Sequence, residues 1–405
     1  MRYLETKGVK IPFIFEKNDD FPIIYFRLIF RNCGRSFDEL AGVASMFARL
    51  LNEGVNDRFF KDLEFRAISL EAHSAFENLE LSFSCLKEHK NYAFKALANL
   101  LQNPRFEEKT LQRLKINALG ELANLQNDYD DVAKKLLNRT IFKEKEFQSA
   151  NEGDEASIKA INLEHLKAFY KDFFHLNNAT VVLGGALEEK EAFDLSLVLL
   201  SHLEKGKQSL QKRYELKSKI QDEILQKPSE QAYIYFATPF KASFEDADLH
   251  LAKIALFILG QGGFGSRIME EIRVKRGLAY SAYASLDMCN SYSRVFGYLQ
   301  TQNENAKEAK EVVRQIFSDF IQKGVSEEEL KQAKNFILGS TPLRYESLNK
   351  RLSIAFAEFY QGLKIGAFKE ELGKIEKANL KELNAYIKKH SEILNLSFVS
   401  VQNES

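Results

Sequence analysis

Seven histidines are spread along the chain, at His73, His89, His165, His175, His202, His250 and His390, and no two lie within four residues of each other. A helical zinc-hydrolase motif needs two imidazoles one turn apart on the same face. That motif is absent in either orientation, and the plain reading is surface and capping histidines. Gly260-Gln261-Gly262-Gly263-Phe264-Gly265 matches the spacing G-x-G-x-x-G. A dinucleotide site would need a strand before the glycines. Here Leu249, Ala252, Leu256 and Leu259 precede them at helical spacing, so the segment reads as a glycine-rich loop between two helices. The three cysteines, Cys33, Cys85 and Cys289, are far apart and form no C-x-x-C. They suggest neither a disulfide framework nor a redox pair, and they fit a reducing compartment.

The elements that position such residues need more than one core. At 405 residues the chain is long enough for two domains, each of about 200 residues. Lysine plus arginine equals aspartate plus glutamate at 57 each, so net charge is near zero. That balance argues against a nucleic-acid or polyanion binder. With 33 phenylalanines and no tryptophan, the core is expected to be built on Phe, Leu and Ile. The N-terminus has no apolar core of a signal peptide, and no apolar run is long enough to span a membrane. A cytoplasmic protein is expected.

The chain repeats itself at an offset of 208–210 residues. Ile24-Tyr25-Phe26-Arg27 leads to a helical pattern ending Leu50-Leu51-Asn52-Glu53-Gly54. Ile234-Tyr235-Phe236-Ala237 leads to one ending Ile258-Leu259-Gly260-Gln261-Gly262. Too long for a solenoid, this period fits two copies of one domain, at 1–204 and 230–405, joined by a polar, lysine-rich linker at 205–229 that contains Pro228. Residues 21–30 and 231–237 read as strands. Ser36 and Glu39 read as a capping box for the first helix. Leu40, Val43, Phe47, Leu50 and Leu51 then form one apolar stripe. Residues 69–86 read as a strand pair, 107–137 as a long helical region and 180–185 as a short strand. The second half follows with strands at 281–301, helices within 305–345 and 352–362, and a last strand at 396–401. Both halves are therefore α+β, mostly antiparallel sheets with helices packed on them.

Two segments carry a family resemblance. Leu259 through Arg267, then Ile272-Arg273-Val274-Lys275-Arg276-Gly277-Leu278-Ala279-Tyr280-Ser281, resembles the second-half signature of the pitrilysin/insulinase family of zinc metallopeptidases. That family includes the mitochondrial processing peptidases. In the first half, Gly42-Val43-Ala44 and Leu50 through Gly54 frame the family's zinc helix, and Ile158 with residues 166–170 precede its strand at 180–185. The resemblance covers nearly the whole chain and implies the two-domain processing-peptidase fold.

Carried over residue by residue, the zinc helix is empty of its chemistry. Ser45 and Arg49 stand where the family has its two histidine ligands, and Ala48 where it has the glutamate base. Arginine has no lone pair to give a metal and repels it. The family's third ligand, a glutamate eleven residues before a valine, matches Glu121 ahead of Val132. An Arg49–Glu121 ion pair in place of the metal is expected. The family's arginine and tyrosine of the second domain, which reach the scissile carbonyl, match Arg273 and Tyr280. A cation and a phenol can stabilise an oxyanion there. Glu71, Ala72, His73 and Ser74 resemble the family's edge strand, to which a substrate peptide adds as an extra strand.

The resemblance implies a zinc-less subunit, with no cofactor of its own, that supplies Arg273 and Tyr280 to a homologous zinc-bearing chain acting on a peptide substrate. Small members of the family form two-chain clamshells, so a homodimer is the other arrangement implied. The competing reading is a non-catalytic pseudopeptidase that is structural or binds peptides, similar to the core proteins of the respiratory cytochrome complex. An independently active metallopeptidase is the third. Neither a nucleic acid nor a membrane is expected as partner.

Overall fold

The structure, a computed structural model, describes residues 2–217 and 219–403. They form two compact units. The first holds the residues up to Asn124 with Ser149–Gln211 and Arg344–Ala357. The second holds Leu125–Gln148, Lys212–Leu343 and the residues from Glu358 onward. The units are thus not the contiguous halves expected at 1–204 and 230–405, because each takes a helical segment from the other half of the chain.

In the first unit, β1 (Arg2–Thr6), β2 (Val9–Lys17), β3 (Ile23–Arg31), β4 (Ser69–Ser74), β5 (Asn78–Leu86) and β6 (Ala179–Gly185) form one sheet ordered β1-β2-β6-β3-β5-β4. In the second, β7 (Asp222–Gln226), β8 (Gln231–Pro239), β9 (Ala279–Met288), β10 (Ser293–Gln302) and β11 (Ser397–Gln402) are ordered β7-β11-β8-β10-β9. The two orders superimpose strand for strand once β1 is set aside. Each sheet has a single parallel pair in the same place, β2 with β6 and β7 with β11. The internal repeat is therefore one α+β domain built twice. Residues 222–226 of the expected linker are strand β7.

Alternation decides which face is buried. On β5, Leu79, Leu81, Phe83 and Cys85 are buried while the residues between them are half-exposed. They pack with Phe26, Leu28 and Phe30 of β3 and with the stripe Val43, Phe47, Leu50 and Leu51 in one apolar core. The second unit repeats this with Ile234, Phe236, Ala282, Ala284, Leu299 and Phe398. The opposite face of each sheet carries the borrowed helix. Tyr129–Ile141 lies on the second sheet, where the Tyr235 hydroxyl donates to Asp130 Oδ1 at 2.8 Å. Leu348–Tyr360 lies largely in the first unit, where Arg351 Nε donates to Glu16 Oε1 at 2.6 Å.

Two local expectations need correction. The helical region at 107–137 is two helices, Glu108–Leu125 and Tyr129–Ile141, and the Asp128 carboxylate caps the second by accepting from Asp131 N. The first core helix starts later than Ser36 and Glu39 implied. It spans Val43–Leu51, and Gly42 before it has φ 91°. Asp38, 6% exposed, takes the capping role, with Oδ2 accepting from Gly42 N and Oδ1 from Ala44 N, both at 2.9 Å. No helix among the described residues is long and apolar enough to cross a membrane.

Candidate functional site

Ser45, Ala48, Arg49 and Asn52 lie at i, i+3, i+4 and i+7 along and just past the helix Val43–Leu51, so they share one face. The opposite face supplies Phe47, Leu50 and Leu51 to the core, which fixes how this stripe is presented. Arg49 donates from Nη1 to Glu121 Oε1 at 2.9 Å and from Nη2 to Glu121 Oε2 at 2.6 Å. Glu121 lies on the neighbouring helix Glu108–Leu125. The pair is the planar, two-bond form that arginine makes with a carboxylate. Hydrogen bonding from Arg49 holds the Glu121 carboxyl below its ordinary range, and the same bonds raise the already high value of Arg49. Two turns away on the same helix, Arg113 bonds Glu53, just past the end of the helix Val43–Leu51.

These residues do not fit a zinc ion. A guanidinium occupies one ligand position, a hydroxyl the other, and a methyl the place of the base. The one carboxylate is already saturated by the cation. Among the described residues no group of three or more His, Cys, Asp or Glu is placed to hold a metal.

Strand β4, which contains Glu71, Ala72, His73 and Ser74, is the outer strand of the first sheet and among the described residues pairs only with β5. Its middle is not open. Asn52 Nδ2 donates to Ala72 O at 2.9 Å, and Ala72 N donates to Asn52 Oδ1 at 2.7 Å. Glu71–Ser74, expected as an edge strand to which a peptide adds, thus carries a side chain bonded at Ala72.

The second unit is arranged differently. The glycine-rich segment follows the helix Leu249–Leu256 through a widened turn in which Gly262 N bonds Phe257 O at 2.9 Å. Gly260 needs to be glycine, since a Cβ there would lie 2.4 Å from Ala284 N of β9. The run, expected as a loop between two helices, also packs the end of its leading helix against β9. A second widened turn, with Lys275 N bonding Glu270 O at 3.0 Å, carries Arg273. Turns of this kind are rare and frequent at functional sites. Gly277, at φ 64°, then turns the chain into β9. As a result Arg273 and Tyr280 come together. The guanidinium carbon lies 4.2 Å from the centre of the Tyr280 ring and 4.7 Å from that of Phe264. Tyr280 is 81% exposed and Phe264 65% exposed. Arg273 makes no ion pair among the described residues, so two rings orient it and nothing neutralises it.

Residues 35–155 match the family described as insulinase (peptidase family M16), and residues 160–337 the one described as peptidase M16 inactive domain. The chain is 36% identical over 409 residues to the non-peptidase homolog YmxG of Helicobacter pylori, covering 100% of this chain and 94% of that one. It is 21% identical over 322 residues to an uncharacterized zinc protease YmxG of Bacillus subtilis, covering 78% and 77%. A solved peptidase M16 inactive domain from Pseudomonas fluorescens has the same fold, with a TM-score of 0.92 at 24% identity over 100% and 98% of the two chains. This chain belongs to the M16 pitrilysin/insulinase family of zinc metallopeptidases, in a form without the zinc-binding residues.

Three participants escaped the sequence reading. Phe264 was visible only as the variable residue of a glycine run, although a large apolar residue among glycines has little core to enter. Asn52 was visible only as part of a helical pattern ending at Gly54. Asp38 was masked by the better-known spacing of Ser36 and Glu39.

Proposed function

We propose that this chain is a pseudopeptidase that works as the zinc-less subunit of an M16 peptidase. It contributes Arg273 and Tyr280 to a homologous chain that holds the metal and acts on a peptide. The observation that carries this reading is the contrast between the two units. On the helix face at Ser45, Ala48, Arg49 and Asn52, the two long polar side chains, Arg49 and Asn52, are bonded to internal partners. Among the described residues the pair in the second unit has none: Arg273 lies over two exposed rings and makes no ion pair. Stacking fixes the direction of a long side chain before anything binds, which lowers the ordering cost at a site. A pre-oriented cation and an exposed phenol suit a carbonyl oxygen that gains charge during acyl transfer. Supporting the lack of hydrolysis by the chain alone, the relative from Helicobacter pylori is called a non-peptidase homolog.

The test is to assay this chain alone, the M16 paralogue with an intact zinc motif alone, and the two mixed, on a quenched fluorescent peptide. The reading expects turnover only in the mixture, with the complex seen by light scattering. Equal turnover by the zinc-bearing chain with and without this one would overturn it. A second reading, a scaffold with no part in chemistry, is favoured by the internal pairing of Arg49 with Glu121. It expects the mixed complex to form and its turnover to ignore Arg273 and Tyr280.

A further inference from the structure

We infer that Asn52 closes the outer edge of β4, its carboxamide standing in for the residue of a peptide strand, so that losing this side chain would turn β4 into a strand-accepting edge. The register shows why the contact matters. In an antiparallel pair, alternate residues turn their N–H and C=O toward the partner strand and the others turn them away. Ala75 N bonds Asn78 O at 2.8 Å at the β4–β5 turn. Counting back along the pairing His73 with Glu80 and Ala72 with Leu81, the outward groups belong to Ser74, Ala72 and Leu70. Ala72 is the middle one. Asn52 gives a donor to its carbonyl and an acceptor to its N–H. Those are the two bonds that a residue of an added strand makes with its opposite number.

Edge strands invite addition, and proteins blunt them in several ways. Here the blunting is local. An incoming strand would keep only Leu70 and Ser74, two positions about 13 Å apart along the strand, with its central pair denied. Asn52 is itself exposed, so the amide covers the edge from the side a peptide would approach. The repeat provides an internal control. Gly260 is the counterpart of Asn52 in the second unit, and a Cβ there would lie 2.4 Å from Ala284 N of the corresponding edge strand β9. It has no side chain with which to bond that edge. The carboxamide clamp is therefore a feature of the first unit, not a requirement of the fold.

This inference does not depend on the role proposed for Arg273 and Tyr280, and its test uses this chain alone without turnover. In the wild type, hydrogen exchange resolved to single amides should show the Ala72 N–H protected above the Leu70 and Ser74 N–H groups. Exchange of Ala72 as fast as its two outward neighbours would overturn the inference without any variant. Binding is then read by anisotropy of fluorescein-labelled insulin B chain, an extended probe. Asn52→Ala should bind it about tenfold or more tightly than the wild type, since two competing hydrogen bonds are removed. Asn52→Asp, which keeps the acceptor but sets a carboxylate against the Ala72 carbonyl, should fall between them and guards against a folding defect in the alanine variant. Equal affinity of all three chains for the probe would overturn the inference.

Discussion

Arg49 and Glu121 meet through two parallel hydrogen bonds, at 2.9 and 2.6 Å, between two helices, and the Arg113–Glu53 pair lies just past the end of the first. The cation of the pair sits where the resemblance to the zinc peptidases implies a metal ligand. The geometry explains how the helix tolerates the loss of a metal. The carboxylate that would have been left facing solvent and a vacant charge site is neutralised by a residue of the same chain.

The first prediction follows directly. Purified chain should carry no stoichiometric zinc by mass spectrometry, since the ligand set is missing and a guanidinium stands in its place. One zinc per chain, removable by chelator, would defeat this. Glu121→Ala should cost at most about 1 kcal/mol in urea unfolding, because Arg49 and Glu121 are 26% and 52% exposed and solvent screens the pair. Because Arg49 lowers the Glu121 value, whatever the pair contributes is present above about pH 4 and fades as pH falls through the lowered value.

Asp38 should give the opposite pH dependence. Burial pushes its carboxyl up to about 7, even though the Ala44 and Gly42 N–H groups pull it down. Its unfolded value is about 3.9. A raised native value means the native state binds a proton more tightly than the unfolded chain. The favourable contribution is thus full below about pH 4 and is lost as pH rises toward 7. Its size is about 4 kcal/mol at most. Asp38→Asn cannot titrate, so the stability of wild type relative to this variant should fall between about pH 4 and 7 and then level off. Urea midpoints for both proteins across that range measure it, and a pH-independent difference would refute it.

Much of the fold was legible because it is written in periodicity. The alternation Leu79, Leu81, Phe83 and the stripe Val43, Phe47, Leu50, Leu51 define faces that have only one way to be buried. The repeat was legible because the same order of strand, loop and helix recurs. The exchange of helices between the units was not, since nothing local in Tyr129–Ile141 or Leu348–Tyr360 says which sheet will receive it. Arg273 and Tyr280 were legible as a spaced pair, but the Phe264 ring that completes the stack depends on two widened turns set by packing. Asn52 illustrates the limit: an asparagine after a helix has several local uses, and only the register of β4 selects the one found.

Gly260 carries a prediction about packing. A Cβ there would lie 2.4 Å from Ala284 N and 2.7 Å from Ala284 O, both rigid backbone atoms of β9. Gly260→Ala must push helix and strand apart, at a cost of about 1–3 kcal/mol. The displacement would move the start of β9, where Tyr280 lies. Gly265→Ala, where a Cβ meets nothing within 4 Å, is the control and should be near neutral. Thermal unfolding of the two variants decides it, and equal melting temperatures would show that the helix–strand contact yields more easily than a close-packed backbone should.

The last prediction concerns Arg273 and Tyr280 in the mixed complex. Both are exposed or half-exposed, and neither has a polar partner among the described residues, so removing either should leave the fold intact. Tyr280→Phe keeps the ring that stacks on Arg273 and removes only the hydroxyl. Arg273→Lys keeps the charge and loses the planar stack and the fork of donors. If the pair donates to a carbonyl oxygen as it gains charge, Arg273→Ala and Tyr280→Phe should each lower kcat by about 10²–10³. KM should change much less, because the bonds matter most in the transition state. Phe264→Ala should produce a smaller fall, since it frees the guanidinium without removing it. Complex formation, followed by light scattering, should be the same for all four variants. If kcat is unchanged in both Arg273→Ala and Tyr280→Phe while the complex stays active, the exposed stack has no part in chemistry, and the chain serves the pair as a wall of its chamber.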